Sequence, residues 1–262
     1  MSTSAEASVT LLIDIGNTRV KWARLVRGKL APQHAAAHVG WQSSDFARRV
    51  IGAPRGLARV IVVSVASSRT NGALTAAARQ RADIKPEFFA SERHAGGVTT
   101  LYGEPWRLGA DRLVAAIGAH RLAARRAVCI IAVGTALTLD LVDARGRHRG
   151  GAIVPAPALM KDSLLTQTNG IRRRARGGTL KGGFFARSTR AAIEQGSRYA
   201  AAAVIDRAVA EARSVLGRAP LVLLTGGGAS ALRPLIRSTH TLVPDLVLRG
   251  LAVLASNPRN AS

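Results

Sequence analysis

Two stretches of this chain repeat one pattern: an apolar run rich in β-branched residues, a tight turn, and a second apolar run. The first repeat covers residues 9–26 and turns at Gly16, and the second covers residues 128–142 and turns at Gly134. Each repeat predicts two strands joined by a short turn. Because helical patterns alternate with these strands, the sequence predicts an α/β protein made of two related halves.

Three further segments support this class. Residues 60–65 form an Ile/Val run typical of a strand that is covered on both faces. Residues 109–126 carry apolar side chains at helical spacing, which places Asp111 and Arg112 near the N-terminus of a helix. Residues 188–216 predict a long helix with a serine at the N-cap position.

Composition excludes several classes of protein. Cys129 is the one cysteine, so the sequence predicts no disulfide framework and no cysteine-based zinc site, and it favours a reducing cytoplasm. Residues 1–8 lack a charged segment followed by an apolar one, so no secretory signal is expected. The longest apolar stretch, residues 127–142, is too short for a bilayer span of about 20 residues, so we expect no membrane partner.

The net charge of +23 raises the question of a nucleic-acid partner. Lysine occupies only five of the 38 basic positions, and aromatic residues make up 4% of the chain, too few for the stacking platforms of single-strand binders. We therefore do not expect nucleic acid as the main partner. The basic run at residues 172–176 is interpreted as a solvated loop.

Known nucleotide and hydrolase patterns are missing from the sequence, including GxxxxGK[ST], GxGxxG after a strand, GxSxG and HExxH. What remains is three glycine/threonine turns at residues 14–18, 134–136 and 225–228, each after an apolar strand. Glycines in such turns let backbone N–H groups approach a phosphate. One turn alone is better explained as a hairpin turn or a tight strand exit, but three together, with Asp14 ending the first strand, favour a phosphate site.

These turns resemble the motifs of the actin, sugar-kinase and Hsp70-like ATPase superfamily. Asp14-Ile15-Gly16-Asn17-Thr18 with Lys21 resembles the first phosphate motif, Gly134-Thr135-Ala136 the second, and Leu224-Thr225-Gly226-Gly227 the adenosine motif. Within that superfamily the chain is similar to type III pantothenate kinases, including proteins named Bvg accessory factor. The added matches are Tyr102…Pro105…Leu108-Gly109-Ala110-Asp111-Arg112, Gly150-Gly151-Ala152-Ile153-Val154-Pro155, and Ser188-Thr189…Ile193-Glu194-Gln195-Gly196.

The resemblance implies two actin-like (ribonuclease H-like) lobes with mixed sheets flanked by helices. Residues 1–120 would form the lobe with the first phosphate loop, and residues 121–262 the lobe with the second loop and the adenosine motif. It also implies a homodimer that phosphorylates pantothenate at its primary hydroxyl with ATP, the first step towards coenzyme A. An accessory or transcription-regulatory protein that keeps the ATPase fold is the alternative. Another sugar or acetate-type kinase is disfavoured by residues 109–112.

Site residues follow from the same motifs. Asp111 matches the general base and Arg112 the arginine that binds the carboxylate of pantothenate. Asp14 matches the aspartate that faces the phosphates and their Mg²⁺. A carboxylate is the hard oxygen ligand that Mg²⁺ prefers, either directly or through water. The ATP-binding set is Asp14, Ile15, Gly16, Asn17, Thr18, Arg19, Val20, Lys21, Gly134, Thr135, Gly226 and Gly227. The substrate-binding set is Tyr102, Gly109, Ala110, Asp111, Arg112 and Thr189, the last near the dimer interface.

Simpler roles remain open for these residues. Asp14 also fits an aspartate that starts a turn, and Asp111 one that begins a helix beside an arginine. Two positions depart from the family. Ala132 stands where members commonly have an aspartate that helps to bind a monovalent cation, K⁺ or NH₄⁺, which argues against a potassium requirement. Ala156 stands where a glycine is usual, which is expected to alter the local turn.

Overall fold

The computed structural model of the chain describes residues 8–180 and 182–256. Predictions that fall on residues 1–7, 181 and 257–262 lie outside this part. The described residues separate into two compact units. The first unit contains residues 8–125, 146–148 and 245–256; the second contains residues 126–145 and, residue 181 apart, 149–244.

This division differs from the predicted one in two ways. The first unit extends beyond residue 120 to residue 125, so that it holds the whole of the helix at residues 110–123. The chain also returns to the first unit with its last described helix, which the sequence had assigned to the second half. The sequence of an apolar helix does not indicate which of two sheets the helix will cover.

Strands and helices alternate along the chain. The strands are β1 (Val9–Ile15), β2 (Arg19–Val26), β3 (Lys29–Leu30), β4 (His34–Ala37), β5 (Leu57–Ser64), β6 (Glu87–Phe88), β7 (His94–Ala95), β8 (Val98–Thr100), β9 (Val128–Val133), β10 (Ala136–Val142), β11 (Arg147–Pro155), β12 (Leu221–Thr225) and β13 (Thr241–Leu242). The helices are α1 (Ser43–Phe46), α2 (Ser68–Ala82), α3 (Ala110–Ala123), α4 (Pro157–Gln167), α5 (Asn169–Arg174), α6 (Thr189–Leu216), α7 (Ala229–Leu232) and α8 (Leu246–Ala255). A π-helical turn at Ala47–Ile51 extends α1, and 3₁₀ turns lie at Pro105–Arg107 and Arg233–Leu235.

The sheet of the first unit has the order β3-β2-β1-β5-β6, and β4 also pairs with β2. Strand β1 runs antiparallel to β2 and parallel to β5, so the sheet is mixed, as predicted. On one face, Leu11, Ile13 and Val62 pack against Phe46 of α1 and Leu74 of α2. Side chains alternate along a strand, so Asp14 lies on the opposite face. Helices α3 and α8 also pack against this sheet.

The sheet of the second unit repeats this pairing around β9. Strand β9 runs antiparallel to β10 and parallel to β12, and β13 pairs with β12 on the far side. Strand β11 follows β10 in the strand order, and its first residues, 147–148, belong to the first unit, where they pair with β8. Ile131 and Leu224 form a core with Ala201 and Ile205 of α6. The sheet is again mixed and flanked by a helix.

The long helix α6 begins and ends where the sequence predicts. Its N-cap, Ser188, accepts a hydrogen bond at its Oγ from the N–H of Ala191 at 3.2 Å, and the helix ends at Gly217, whose φ is +67°. The loop predicted at residues 172–176 is wrong in part. Arg172–Arg174 complete α5, in keeping with the good helix propensity of arginine, although their side chains are exposed as expected. Within the described residues, no helix combines the length and apolar character needed to cross a bilayer.

Helices α3 and α8 cross at two glycines, which fixes the position of α3. A Cβ atom on Gly250 would overlap the carbonyl oxygen of Val114, and one on Gly118 would overlap the carbonyl oxygen of Leu246. Both glycines have ordinary negative φ angles, so the constraint is space and not backbone conformation. The two helices can therefore approach closely only because Gly118 and Gly250 have no side chain.

Gly250→Ala is expected to lower the free energy of unfolding by about 1–3 kcal/mol, because the added methyl group must push the helices apart. Urea unfolding followed by circular dichroism measures the change. Gly72→Ala in α2 is the matched control, since a Cβ there meets open space; it should raise stability by about 0.5–1 kcal/mol. Wild-type stability in Gly250→Ala would contradict the close crossing.

Candidate active site

The turn between β1 and β2 presents a short exposed tip. The N–H of Gly16 donates to the carbonyl oxygen of Arg19 at 2.9 Å and closes the turn. Asn17 and Thr18 at the tip are exposed, whereas the flanking side chains of Ile15 and Val20 are fully buried. Ile15 and Val20 can therefore reach a ligand only through their backbone.

Asp14 is a buried carboxylate just before this turn. Its side chain faces Lys21, its partner in the β1–β2 register, and Lys21 Nζ lies 3.9 Å from Asp14 Oδ2. Burial raises the pKa of Asp14 to about 6; the Lys21 ammonium opposes the rise and the charge of Asp111 adds to it. The first unit thus brings Lys21 and Asp111 within electrostatic range of Asp14.

Asp111 lies in the first turn of α3, as predicted. Its Oδ1 accepts a hydrogen bond from the backbone N–H of Arg112 at 2.8 Å, which satisfies one of the amides that a helix start leaves without a helical partner. A Cβ atom on the preceding Gly109 would lie 2.8 Å from the same oxygen. Gly109 therefore leaves room for the Asp111 carboxylate, and the helix-start role and a chemical role are compatible.

Arg112 follows with a side chain that is only 7% exposed. Its Nη1 lies 3.4 Å from the hydroxyl of Tyr102, and its Cζ lies 6.0 Å from the centre of the Tyr102 ring. The Tyr102 ring is tilted against the ring of His148 at 5.9 Å. A buried guanidinium beside a hydroxyl is suited to a carboxylate, which it can bind through two parallel hydrogen bonds.

In the second unit, the other two predicted turns lie against each other. The N–H of Gly134 donates to the carbonyl oxygen of Ala136 at 2.9 Å and leaves Thr135 exposed at the tip. Gly226 has a φ of +97°, and a Cβ on it would overlap the backbone of Val133, the residue before Gly134. The N–H of Gly228 donates to the carbonyl oxygen of Val133 at 3.0 Å.

The two departures from the family pattern lie beside these turns. Ala132 pairs with Thr225 in the parallel register of β9 and β12. Thr225 is 2% exposed, and within the described part of the chain its Oγ1 has no hydrogen-bond partner. Ala156 is the N-cap of α4, with a φ of −73° that any residue adopts, and its N–H donates to the carbonyl oxygen of Thr135 at 3.3 Å. Alanine thus fits there without strain.

The other predicted site residues differ in their position and exposure. Thr189 is the first residue of α6 and is half-buried, as is Ala110 at the start of α3; Arg19 and Gly227 are exposed. Sequence reasoning missed His38, which is 5% exposed and whose Nε2 lies 2.7 Å from the carbonyl oxygen of Gly16. Nothing in the local sequence of a lone histidine reveals a contact 22 residues away.

The donor set fits Mg²⁺ held through one carboxylate. Asp14 is buried and repelled by Asp111, so a divalent cation would relieve both the desolvation and the repulsion. Among the described residues, no group of three or more His, Cys, Asp or Glu side chains could hold a metal ion. A site with a single carboxylate is nevertheless common for Mg²⁺, because substrate phosphates and water supply the rest of its six ligands.

Solved structures similar to this chain share its fold at low sequence identity. A Baf family transcriptional activator from Campylobacter jejuni has a TM-score of 0.57 at 18% identity over 95% of this chain and 98% of that one. Component A of (R)-2-hydroxyglutaryl-CoA dehydratase from Acidaminococcus fermentans has a TM-score of 0.55 at 15% identity over 95% and 96% of the two chains. These likenesses show the fold alone, and they confirm the predicted actin-like α/β architecture.

Sequence comparison is more specific. The family model for type III pantothenate kinase matches residues 10–211. A type III pantothenate kinase from Nitrosococcus oceani is 35% identical over 94% of this chain and 94% of its own length. Another from Laribacter hongkongensis is 38% identical over 94% of this chain and 98% of its own length. The chain belongs to the type III pantothenate kinase family.

Proposed function

We propose that this protein transfers the γ-phosphoryl group of ATP to the primary hydroxyl of pantothenate, giving 4′-phosphopantothenate in the first step of coenzyme A biosynthesis. The observation that carries the proposal is the buried Asp14, which faces Lys21 and senses the charge of Asp111, in a chain of this family. Phosphoryl transfer depends mainly on positioning and charge neutralisation, so few groups are needed beyond these.

Asp111 is the general base of the proposed reaction. The hydroxyl oxygen of pantothenate attacks the γ-phosphorus, the bond from that phosphorus to the β,γ-bridging oxygen breaks, and ADP leaves with the electron pair. The hydroxyl proton passes to the carboxylate of Asp111. The start of α3 fixes this carboxylate through the N–H of Arg112, and Gly109 keeps the adjacent space open.

Arg112 is the group that binds the carboxylate of pantothenate. Its burial excludes water and strengthens the ion pair that it would form. Tyr102 supplies a hydroxyl beside the guanidinium. Gly109, Ala110 and Thr189 complete the proposed substrate-binding set.

The phosphates of ATP are bound by backbone amides and hydroxyls of the turns. In the first unit these belong to residues 15–20, with the Lys21 ammonium beside them; in the second unit they belong to Gly134, Thr135, Gly226 and Gly227. Mg²⁺ bound at Asp14, directly or through water, would neutralise phosphate charge. Residues 17–18 and 134–135 at the tips of the turns are exposed, which supports this assignment because a ligand can approach both tips.

A purified-protein assay of ADP release tests the proposed reaction. With ATP and Mg²⁺, release should require pantothenate and should be the same with and without K⁺, because Ala132 offers no carboxylate to a monovalent cation. Failure of pantothenate to stimulate release would favour the accessory-protein alternative. A requirement for K⁺ would overturn the inference from Ala132.

Asp111→Asn separates the chemical step from nucleotide binding. It should lower kcat by about 10²–10⁴-fold while a non-hydrolysable ATP analogue still binds in calorimetry. Asp162→Asn is the control, since Asp162 is an exposed carboxylate on α4. Unchanged turnover in Asp111→Asn would remove the general-base assignment.

Asp14→Asn should raise stability at pH 7.5 while it abolishes turnover. The folded-state pKa of about 6 exceeds the usual 3.8, so the folded state holds this proton more tightly than the unfolded state, and stability falls as pH rises through that window. Above pH 6 the ionised carboxylate costs up to about 3 kcal/mol, and asparagine removes that cost.

Urea unfolding in EDTA at pH 7.5 and at pH 4.5 measures this effect. The gain of Asp14→Asn should be smaller at pH 4.5, and Asp162→Asn should stay within about 0.5 kcal/mol of wild type at both. A loss of stability in Asp14→Asn at pH 7.5 would show that the ionised carboxylate stabilises the fold.

A homodimer is part of the proposal and is supported by exposed aromatic rings in the second unit. Phe185 is 91% and Phe184 is 54% exposed, and the Phe184 ring contacts the ring of Tyr199 at 5.1 Å. Large apolar groups exposed together mark interaction surfaces. Location in the cytoplasm is likewise proposed, supported by the single cysteine of the sequence, Cys129, which has no second cysteine in the chain with which to form a disulfide.

Light scattering at micromolar concentration should give twice the chain mass for wild type and a smaller mass for Phe185→Ser, because a polar side chain weakens the apolar contact. Val39→Ser, at a residue 75% exposed in the first unit, is the control and should stay dimeric. A monomeric wild type would contradict the dimer, and a fully dimeric Phe185→Ser would place the interface elsewhere.

A further inference from the structure

His38 holds the first phosphate turn by two hydrogen bonds. Its ring Nε2 lies 2.7 Å from the carbonyl oxygen of Gly16, and its backbone N–H donates to the carbonyl oxygen of Thr18 at 3.2 Å. A carbonyl oxygen can only accept, so Nε2 carries the hydrogen of the first bond. One residue thus contacts the carbonyl groups of Gly16 and Thr18, on either side of Asn17 in the turn that leads from β1 to β2.

The sheet and a small aromatic cluster fix His38 in this place. Strand β4 ends at Ala37, which pairs with Arg19, the first residue of β2, so His38, the residue after the strand, reaches the turn directly. The His38 ring lies 6.5 Å from the ring of Phe46, which is fully buried in the core of the first unit. A side chain that is 5% exposed and in contact with the core has little freedom to leave the carbonyl of Gly16.

The direction of two amides follows from these bonds. In a planar trans peptide, the carbonyl of one residue and the N–H of the next point in opposite directions. With the oxygen of Gly16 directed at His38, the N–H of Asn17 is directed away from His38. The same holds for the carbonyl of Thr18 and the N–H of Arg19. The tip residues Asn17 and Thr18 are exposed, so the part of the turn that carries the Asn17 amide is open to a ligand.

We propose that His38 is a positioning residue that orients the Asn17 amide towards the phosphates of the nucleotide. The inference rests on the proposed function, because it gives that amide a phosphate to bind. His38 touches no reacting atom, and its effect passes through the peptide between Gly16 and Asn17. Loss of the Nε2 donor should therefore weaken nucleotide binding more than it changes the catalytic step or the binding of pantothenate.

Three variants test this role by steady-state kinetics. His38→Leu keeps the bulk and removes the donor, and it should raise the KM for ATP by about tenfold, the effect of one lost hydrogen bond, with the KM for pantothenate unchanged. His38→Gln places an amide N–H where Nε2 was and should restore most of the ATP affinity. His34→Gln is the control, because His34 lies at the other end of β4, stacks on Trp22 and is exposed.

A second measurement does not depend on turnover. Adenylyl imidodiphosphate with Mg²⁺ should shift the Asn17 amide resonance in ¹⁵N spectra of wild type and His38→Gln, and shift it far less in His38→Leu. If His38→Leu fails to fold, His38→Asn replaces it, since its shorter amide falls short of Gly16.

The outcomes separate this inference from the proposed function. Wild type that binds the analogue with a shifted Asn17 amide but lacks pantothenate-dependent turnover would contradict the proposed reaction and leave His38 in its role. Wild-type ATP affinity in His38→Leu, equal losses in His38→Leu and His38→Gln, or no shift of the Asn17 amide in wild type would each overturn the role of His38.

Discussion

The burial of Asp14 beside a second carboxylate is the constraint on which the rest of the site depends. An ionised carboxylate loses hydration when it is buried, and the charge of Asp111 increases that cost, while Lys21 at 3.9 Å offsets only part of it. This arrangement destabilises the fold when no ligand is bound. A cation and phosphates would complete the electrostatic balance when substrates bind.

The fold holds this unfavourable arrangement through contacts away from the charges. Asp14 is fixed because β1 lies between β2 and β5 in the sheet. Asp111 is fixed because α3 lies against α8 at Gly118 and Gly250, where carbonyl oxygens occupy the space of a side chain. The rigid parts of the first unit therefore determine where the two carboxylates lie, and the exposed turn residues are left free to meet a ligand.

Both units build a turn after the first strand of a hairpin, but they brace it differently. In the first unit, His38 contacts the carbonyl groups of Gly16 and Thr18. In the second unit, the backbone N–H of Ala156 contacts the carbonyl of Thr135, and the turn at Gly226 packs on Val133. The bracing groups come from distant parts of the chain, so the turns are products of the tertiary fold and not only of their glycines.

Local patterns in the sequence predicted many of the strands and helices. They could not predict contacts between residues that are far apart in the chain. The β-branched runs marked β1, β5 and β9, and the cap at Ser188 marked the start of α6, because these signals act within a few residues. The return of α8 to the first unit, the short helix at Arg172–Arg174 and the contact of His38 with Gly16 depend on distant packing or weak propensities. The site residues came from family motifs, and the structure adds which of them are neighbours.

The most direct test of this account is the titration of the Asp14 carboxyl carbon by ¹³C NMR in EDTA, in wild type and in Asp111→Asn. The account predicts a midpoint near pH 6 in wild type and a lower one in the variant, because the neutral amide removes the repulsion. A midpoint near the ordinary value of 3.8 in both proteins would show a solvated carboxylate without coupling to Asp111, and it would contradict the arrangement on which the proposed chemistry rests.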